Sequence, residues 1–186
     1  MKKHILEMKN NLKNLNFKEI LKNLDTLIFD IDGVLSASNV LISEKGELLR
    51  STNVKDGYIL RYAIQKGLRV IILSGGLNEA VKIRYDALGI PDVIIKSKRK
   101  IEDFANLKAK YNLDEEKTLY MGDDIPDYEL LKIVGVACCP ADAADEIKEI
   151  SLFVSSKKGG EGCVREITEQ VLRAKGLWMD DDAFNT

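Results

Sequence analysis

The sequence predicts an α/β protein built on a doubly wound, Rossmann-like parallel sheet with a β-hairpin insertion. Two observations carry that prediction. From residue 25 onward, short apolar runs alternate with amphipathic helical stretches, the pattern of a parallel sheet covered on both faces. Two of the apolar runs also end in acidic clusters, "DID" and "GDDIPD", which an open parallel sheet places on one carboxyl edge, where ligands bind.

Taken in order, residues 5–24 place Ile5, Leu6, Leu12, Leu15, Ile20, Leu21 and Leu24 on an imperfect helical stripe. This predicts an N-terminal helical extension over 1–24, packed outside the core. The runs TLIFD (26–30), RVIILS (69–74), DVIIK (92–96), TLYMG (118–122) and VGVACC (134–139) read as strands. Helical patterns fill 56–66, 78–88, 100–112, 126–133, 143–149 and 162–175. Between the first strand and the first of these helices, "VLISEKGELLRSTNV" (40–54) reads as strand, turn and strand, a protruding hairpin. Gly176 is a helix stop, and 177–186 follow as a C-terminal tail. The expected organisation is therefore a single domain over 25–176 with an appendage at each end.

At 186 residues and 45% apolar content, the chain is long enough for one globular domain with a full core. Its 28 Lys and Arg against 30 Asp and Glu give a net charge of −2, which offers no basis for capturing nucleic acid or an anionic membrane. The expected partners are small molecules or proteins. No run is long and apolar enough for a membrane span, and the N-terminus lacks a signal peptide's apolar core, so a cytoplasmic location is expected. The three cysteines, Cys138, Cys139 and Cys163, fit neither a disulfide framework nor a zinc site, and the first two read as core-strand residues. His4 is the one histidine, so a His-based triad, a His-phosphate relay or a two-His metal site has no candidate.

Side chains two apart on a strand share a side, so Asp30 and Asp32 converge before Gly33 turns the chain away. Asp123, Asp124 and Asp127 end another strand on the same edge. A hard divalent cation resolves that repulsion, and Mg²⁺ suits a few carboxylates plus water and phosphate oxygens. Ser74, followed by Gly75 and Gly76, offers a hydroxyl and backbone N–H groups to an anion at a helix start, and Lys100 opens the helix after the third strand. Together these groups form a phosphoryl-transfer site. Metal and lysine neutralise the phosphate, one Asp attacks it, and the other serves as general acid and base.

D-x-D-G-V-L-S at the first strand, S-G-G at the second, Lys100 near the third and G-D-D-x-x-D at the fourth resemble the four motifs of the haloacid dehalogenase superfamily of phosphatases. The resemblance implies that Asp30 is the nucleophile, becoming an aspartyl-phosphate, and Asp32 the acid/base. It makes Ser74, Gly75 and Lys100 phosphate binders. Asp30, Asp123 and the backbone carbonyl of Asp32 would hold Mg²⁺, with Asp124 and Asp127 in support. Large members of the superfamily insert a cap domain after motif one or two, but here there is room only for the hairpin. Shielding of the site is then expected from another subunit.

That arrangement, with "NVKDGYILR" (53–61), "LGI" (88–90) and "GGEGCVREITEQVLRAKG" (159–176), is similar to the cap-less 3-deoxy-D-manno-octulosonate 8-phosphate phosphatases. These are homotetramers in which hairpins assemble centrally and tails reach a neighbour's site. The resemblance implies substrate contacts from Asn53, Val54, Lys55, Asp56, Gly57, Arg61 and Arg84, besides Asp32 and Lys100. Arginine pairs bidentately with a carboxylate or phosphate, as a sugar acid phosphate requires. Two departures stand out. The family commonly has arginine after the motif-two glycine, where this chain has Gly76, and its tail signature often reads G-G-R-G, where this chain has Glu161. A nonulosonate 9-phosphate therefore stays open as substrate. Rival readings are a broad-specificity sugar phosphatase, a non-catalytic oligomerisation domain of the same fold, and a two-component receiver. The last is disfavoured because a receiver's phospho-accepting Asp ends a middle strand.

Overall fold

The computed structural model describes residues 16–77 and 79–184. The chain runs through α1 (Phe17–Asn23), β1 (Thr26–Phe29), a hairpin of β2 (Leu41–Ile42) and β3 (Leu48–Leu49), α2 (Val54–Gln65), β4 (Arg69–Leu73), α3 (Glu79–Asp86) and β5 (Asp92–Ile94). It continues through α4 (Lys100–Tyr111), β6 (Thr118–Met121), α5 (Tyr128–Leu131), β7 (Val136–Cys139), α6 (Asp145–Ile150), β8 (Phe153–Val154) and α7 (Cys163–Ala174). Short 3-10 turns lie at Glu115–Lys117, Ile125–Asp127 and Asp181–Phe184.

The six long-range strands form one parallel sheet in the order β5-β4-β1-β6-β7-β8. β1 is central and buried along its whole length. Its side chains alternate between two apolar layers, as strand geometry requires. Leu27 and Phe29 enter the layer built with Leu60, Ile167 and Val171 of α2 and α7. Ile28 enters the layer built with Phe104, Leu107 and Ile147 of α4 and α6. Helices on both faces explain why these strands read as unbroken apolar runs rather than alternating ones.

Several boundaries differ from expectation for local reasons. The hairpin forms at the expected place, but only two residues per strand pair, Leu41 with Leu49 and Ile42 with Leu48. The helix expected over 126–133 is a 3-10 turn followed by one α-turn, because Pro126 and reciprocal capping by Asp124 and Asp127 organise its start. β8 went unread because two residues carry no periodicity; it is defined by pairing Cys138 with Phe153 and Cys139 with Val154. Of the extension over 1–24, only α1 falls among the described residues; residues 1–15 lie outside them, as do Asn78, expected to begin a helix, and 185–186 of the tail. Cys138, Cys139 and Cys163 are free and buried.

The tail is docked on its own chain. Tyr62 Oη donates to Leu177 O and to Asp180 Oδ1, both at 2.8 Å, and Lys66 Nζ lies 2.5 Å from both Asp180 and Asp182. Trp178 meets the Tyr62 ring edge-on. No cap element covers the carboxyl edge of the sheet among the described residues; the hairpin is what the β1-to-α2 connection inserts.

Candidate active site

Phe29 pairs with Ile72 of β4 and Met121 of β6, so the residues after these strands leave the sheet at one level. Asp30 N donates to Met121 O at 3.0 Å, and Ser74 N to Ile94 O at 2.9 Å, fixing both just beyond the strand ends. Asp30, Asp32, Ser74, Gly75, Lys100, Asp123, Asp124 and Asp127 line one cavity of about 300 Å³, completed by Ser38, Gly76 and Pro126. Every catalytic, phosphate-binding and metal-binding candidate read from the motifs therefore reaches a single site. Gly33, at φ +85°, allows the sharp turn: a Cβ there would sit 1.9 Å from Asp123 Oδ2.

Charge organises the floor of this cavity. Lys100 Nζ is buried, 2.5 Å from Asp127 Oδ1 and 3.0 Å from Asp30 Oδ1. Tyr120 Oη donates to the same Asp127 oxygen. Asp127 Oδ2 accepts the N–H groups of Asp123 at 2.9 Å and Asp124 at 3.2 Å. With both oxygens engaged, Asp127 is the organiser of the loop, holding Asp123 and Lys100 in place at once. Asp124 Oδ1 accepts from Ile125 N at 2.8 Å and starts the turn.

Asp30, Asp123 and Asp127 bring carboxylate oxygens within 4.8 Å of one another. Burial, which outweighs the opposing pull of Lys100, raises the pKa of Asp30 well above the carboxylate range, with Asp127 adding to the rise. Burial, then Asp30 and Asp127, push Asp123 up to about 8. At Lys100 burial alone would depress the pKa, but the Asp30 and Asp127 carboxylates reverse it and raise it. Asp30 Oδ1 is buried and accepts no well-directed hydrogen bond among the described residues, although Lys100 Nζ stands at ion-pair distance. Two strained carboxylates and an unsatisfied oxygen in an all-oxygen donor set fit a hard divalent cation.

The Ser74 turn is held by Ser97 N donating to Ser74 O at 3.0 Å and Lys96 N to Gly76 O at 2.9 Å. The N–H of Gly76, expected to face an anion, instead donates to Ser74 Oγ at 3.1 Å. Sequence reasoning missed a partner of Asp32. Arg50, from the end of the hairpin, donates through Nε to Asp32 Oδ1 at 2.5 Å and through Nη2 to Asp32 Oδ2 at 2.9 Å. Nothing in the local pattern around Arg50 marks it, because the contact depends on where the hairpin folds.

The candidate substrate contacts beyond Asp32 and Lys100 do not line this cavity. Asn53 caps α2, accepting from Lys55 N at 2.9 Å and donating through Nδ2 to Gly160 O at 3.1 Å. Val54, Lys55 and Arg61 are exposed on α2, and Gly57 packs beneath Arg84 and Leu88. Asp56 corrects the expectation made of it. It is 1% exposed, and its Oδ1 accepts the N–H of Arg165 in the first turn of α7 at 2.7 Å. Because an α-helix start presents unsatisfied N–H groups, this carboxylate serves as a buried cap and not as a surface contact. Glycines 159 and 160 lie against the first-motif loop, with Gly160 N donating to Val34 O at 2.8 Å. A larger adjoining cleft of about 750 Å³ shares Gly75, Lys100 and Pro126 with the acidic cavity, but its further walls are salt-bridging surface residues such as Arg99 and Glu129.

Comparisons with known proteins bear on this site. Residues 76–167 match the family model of haloacid dehalogenase-like hydrolases. The chain is 34% identical over 155 residues to the 3-deoxy-D-manno-octulosonate 8-phosphate phosphatase of Escherichia coli K12, covering 83% of this chain and 82% of that protein. The crystal structure of the Yersinia pestis phosphatase of the same name superposes with a TM-score of 0.83 at 31% identity, over 86% of each chain. The Moraxella catarrhalis phosphatase, solved with magnesium, phosphate and KDO, superposes with a TM-score of 0.82 at 26% identity, over 86% of this chain and 91% of its own. A match over more than four fifths of the chain at 34% identity leads to one conclusion: the chain belongs to the haloacid dehalogenase-like hydrolases, as a phosphatase of the 3-deoxy-D-manno-octulosonate 8-phosphate phosphatase family.

Proposed function

We propose that this phosphatase cleaves the phosphate ester of a 2-keto-3-deoxy sugar acid, 3-deoxy-D-manno-octulosonate 8-phosphate, releasing octulosonate and inorganic phosphate with Mg²⁺ as cofactor. The observation that carries the reading is the convergence of Asp30, Lys100, Asp123 and Asp127 in one cavity at the sheet's carboxyl edge. The relative solved with magnesium, phosphate and KDO supports both the substrate and the metal.

In this reading an Asp30 carboxylate oxygen bonds to phosphorus as the bond between phosphorus and the sugar oxygen breaks, and Asp32 gives that departing oxygen its proton. Water then attacks the aspartyl-phosphate, Asp32 takes up the proton, and phosphate leaves with Asp30 restored. Lys100, the Ser74 hydroxyl and the Gly75 backbone N–H bind the phosphate oxygens. The carboxylates of Asp30 and Asp123 and the backbone carbonyl of Asp32 would hold Mg²⁺, which supplies charge that keeps the carboxylates ionised and offsets that of the phosphate. Asp124 and Asp127 support the loop.

The assembly belongs to the same proposal. The hairpin exposes Leu41 at 71% and Ile42 at 73%, together with Leu48 and Leu49, an apolar patch that supports burial against other copies in a homotetramer. Contacts from Asn53, Val54, Lys55, Arg61 and Arg84 would then form between subunits, because these residues stand outside the single-chain cavity, whereas Gly57 is buried beneath Arg84 and Leu88 and serves to seat that arginine. The docked tail would have to lift from α2 to reach a neighbour's site. Among the described residues no helix is long and apolar enough to cross a membrane, and we place the enzyme in the cytoplasm, in lipopolysaccharide biosynthesis. We also propose the organisation read from the sequence, one domain over 25–176 with appendages at 1–24 and 177–186.

A nonulosonate 9-phosphate is the second reading, favoured by Gly76, which brings no cation to the Asp32 side of the site, and by Glu161. A non-catalytic role lacks support, since every motif aspartate is present. Asp30→Asn tests the chemistry: the account expects loss of turnover with the fold intact by circular dichroism, and normal hydrolysis by that variant would refute the nucleophile assignment.

A further inference from the structure

The hairpin strands β2 and β3 are exposed, yet the Arg50 side chain that follows them is only 7% exposed. All three guanidinium nitrogens are used: Nε and Nη2 bond to the two oxygens of Asp32, and Nη1 donates to Leu48 O at 3.3 Å. A planar fork on both carboxylate oxygens fixes the orientation of the carboxylate, which a single hydrogen bond or a lysine would not do. The remaining side-chain contact of Asp32 is weaker, Ser36 Oγ donating to Oδ1 at 3.3 Å.

Gly76 of the motif-two turn lies beside that fork. A Cβ at position 76 would stand 3.1 Å from Asp32 Oδ2, 3.4 Å from Ser74 Oγ and 3.6 Å from Arg50 Nη2. The crevice between Asp32, Arg50, Ser74 and Gly76 holds no space for a water molecule. A long side chain at 76 directed into this crevice would meet the guanidinium.

We infer that Arg50 is a positioning residue that fixes the Asp32 carboxylate from the hairpin in the orientation in which it takes up the proton of the attacking water. The inference rests on the reading of Asp32 as acid/base. It also couples hairpin to chemistry: whatever grips the hairpin grips the orientation of Asp32.

The test measures kcat and KM for wild type, Arg50→Ala, Arg50→Lys, Gly76→Arg and the double variant Arg50→Ala/Gly76→Arg. Each is assayed on 3-deoxy-D-manno-octulosonate 8-phosphate and on a hexose 6-phosphate, which has the same kind of leaving group but no carboxylate. Misplacement of a catalytic group by about 1 Å costs about 100-fold, so Arg50→Ala is expected to lose about that in kcat on both substrates. Arg50→Lys recovers little, since an ammonium cannot make the fork. Millimolar guanidinium restores part of the loss in Arg50→Ala, a response that a merely structural role would not give. Gly76→Arg alone lowers kcat by crowding Arg50, whereas the double variant exceeds Arg50→Ala, because the arginine at 76 reaches the same carboxylate.

Unchanged kcat in Arg50→Ala would overturn the inference. So would a defect confined to the KM of the sugar acid, which would make Arg50 a ligand of the substrate carboxylate. If wild type shows no preference for the sugar acid, the substrate reading fails, while the hexose phosphate series still decides the role of Arg50.

Discussion

Asp56 gives a prediction in which the structure sets sign, size and pH window. Burial is the main cause that lifts its pKa from 3.8 to about 6, against the opposing pull of the Arg165 N–H and charge. Oδ1 is satisfied by that N–H, but Oδ2 has no hydrogen-bond partner among the described residues. A carboxyl whose folded pKa exceeds its unfolded one favours folding when protonated. Its contribution is complete below about pH 4 and is lost as pH rises through about 6. A shift of about two units at 1.36 kcal/mol each makes the ionised form about 3 kcal/mol worse at pH 7 than the protonated form. Asp56→Asn keeps an oxygen for Arg165 N and removes the ionisation. Because the unfolded carboxyl is already about half ionised at pH 4, the stability of Asp56→Asn relative to wild type should climb by about 2 of those kcal/mol between pH 4 and pH 7, whatever constant cost the new amide brings. Urea unfolding of both proteins at half-unit pH steps measures this difference, and other titrating groups cancel in it. A pH-independent difference would show that Asp56 is not held as a buried, raised carboxyl, and that the cap argument is wrong.

Two further predictions concern the loop and the assembly. Asp127→Asn leaves Lys100 paired with Asp30 but replaces one acceptor oxygen with an amide N–H, so the loop N–H groups or the Lys100 and Tyr120 donors lose a buried partner. This should cost about 1–3 kcal/mol in denaturant unfolding, and an unchanged midpoint would remove Asp127 from its organising role. Leu41→Lys with Leu49→Glu, a cross-strand pair of opposite charges, keeps the hairpin paired but makes its apolar face polar. Sedimentation should then show monomers or dimers in place of a tetramer, and a tetramer that survives would put the interface elsewhere.

The parts of the site that were legible in the sequence are those where chemistry and secondary structure coincide. Asp30 and Asp32 follow a strand of four buried residues, Ser74 ends another, and Asp123 to Asp127 cap a turn, so strand ends announced the residues and parallel topology brought them together. Lys100 was legible as the first residue of a helix, though not its burial between two carboxylates. What stayed hidden depends on packing between segments distant in sequence. Arg50 meets Asp32 only because the hairpin folds back over the edge. Asp56, in the first turn of α2, carries the ordinary signature of a solvent-facing helix start, and only the approach of α7, over a hundred residues on, buries it. Asp127 read only as a support to the metal ligands, and it is its hydrogen bonds that make it the loop's anchor. The tail gave no periodic signal, and its docking rests on Tyr62, Lys66 and Trp178 meeting across the chain.

The measurement that bears most directly on the central claim is phosphate release in the presence of Mg²⁺, compared by kcat/KM across 3-deoxy-D-manno-octulosonate 8-phosphate, nonulosonate 9-phosphates and hexose phosphates. Recognition of a substrate carboxylate by paired charges discriminates strongly, so the account predicts a preference of about a hundredfold or more for the eight-carbon acid over the hexose phosphates. Release of phosphate from none of these esters would contradict it.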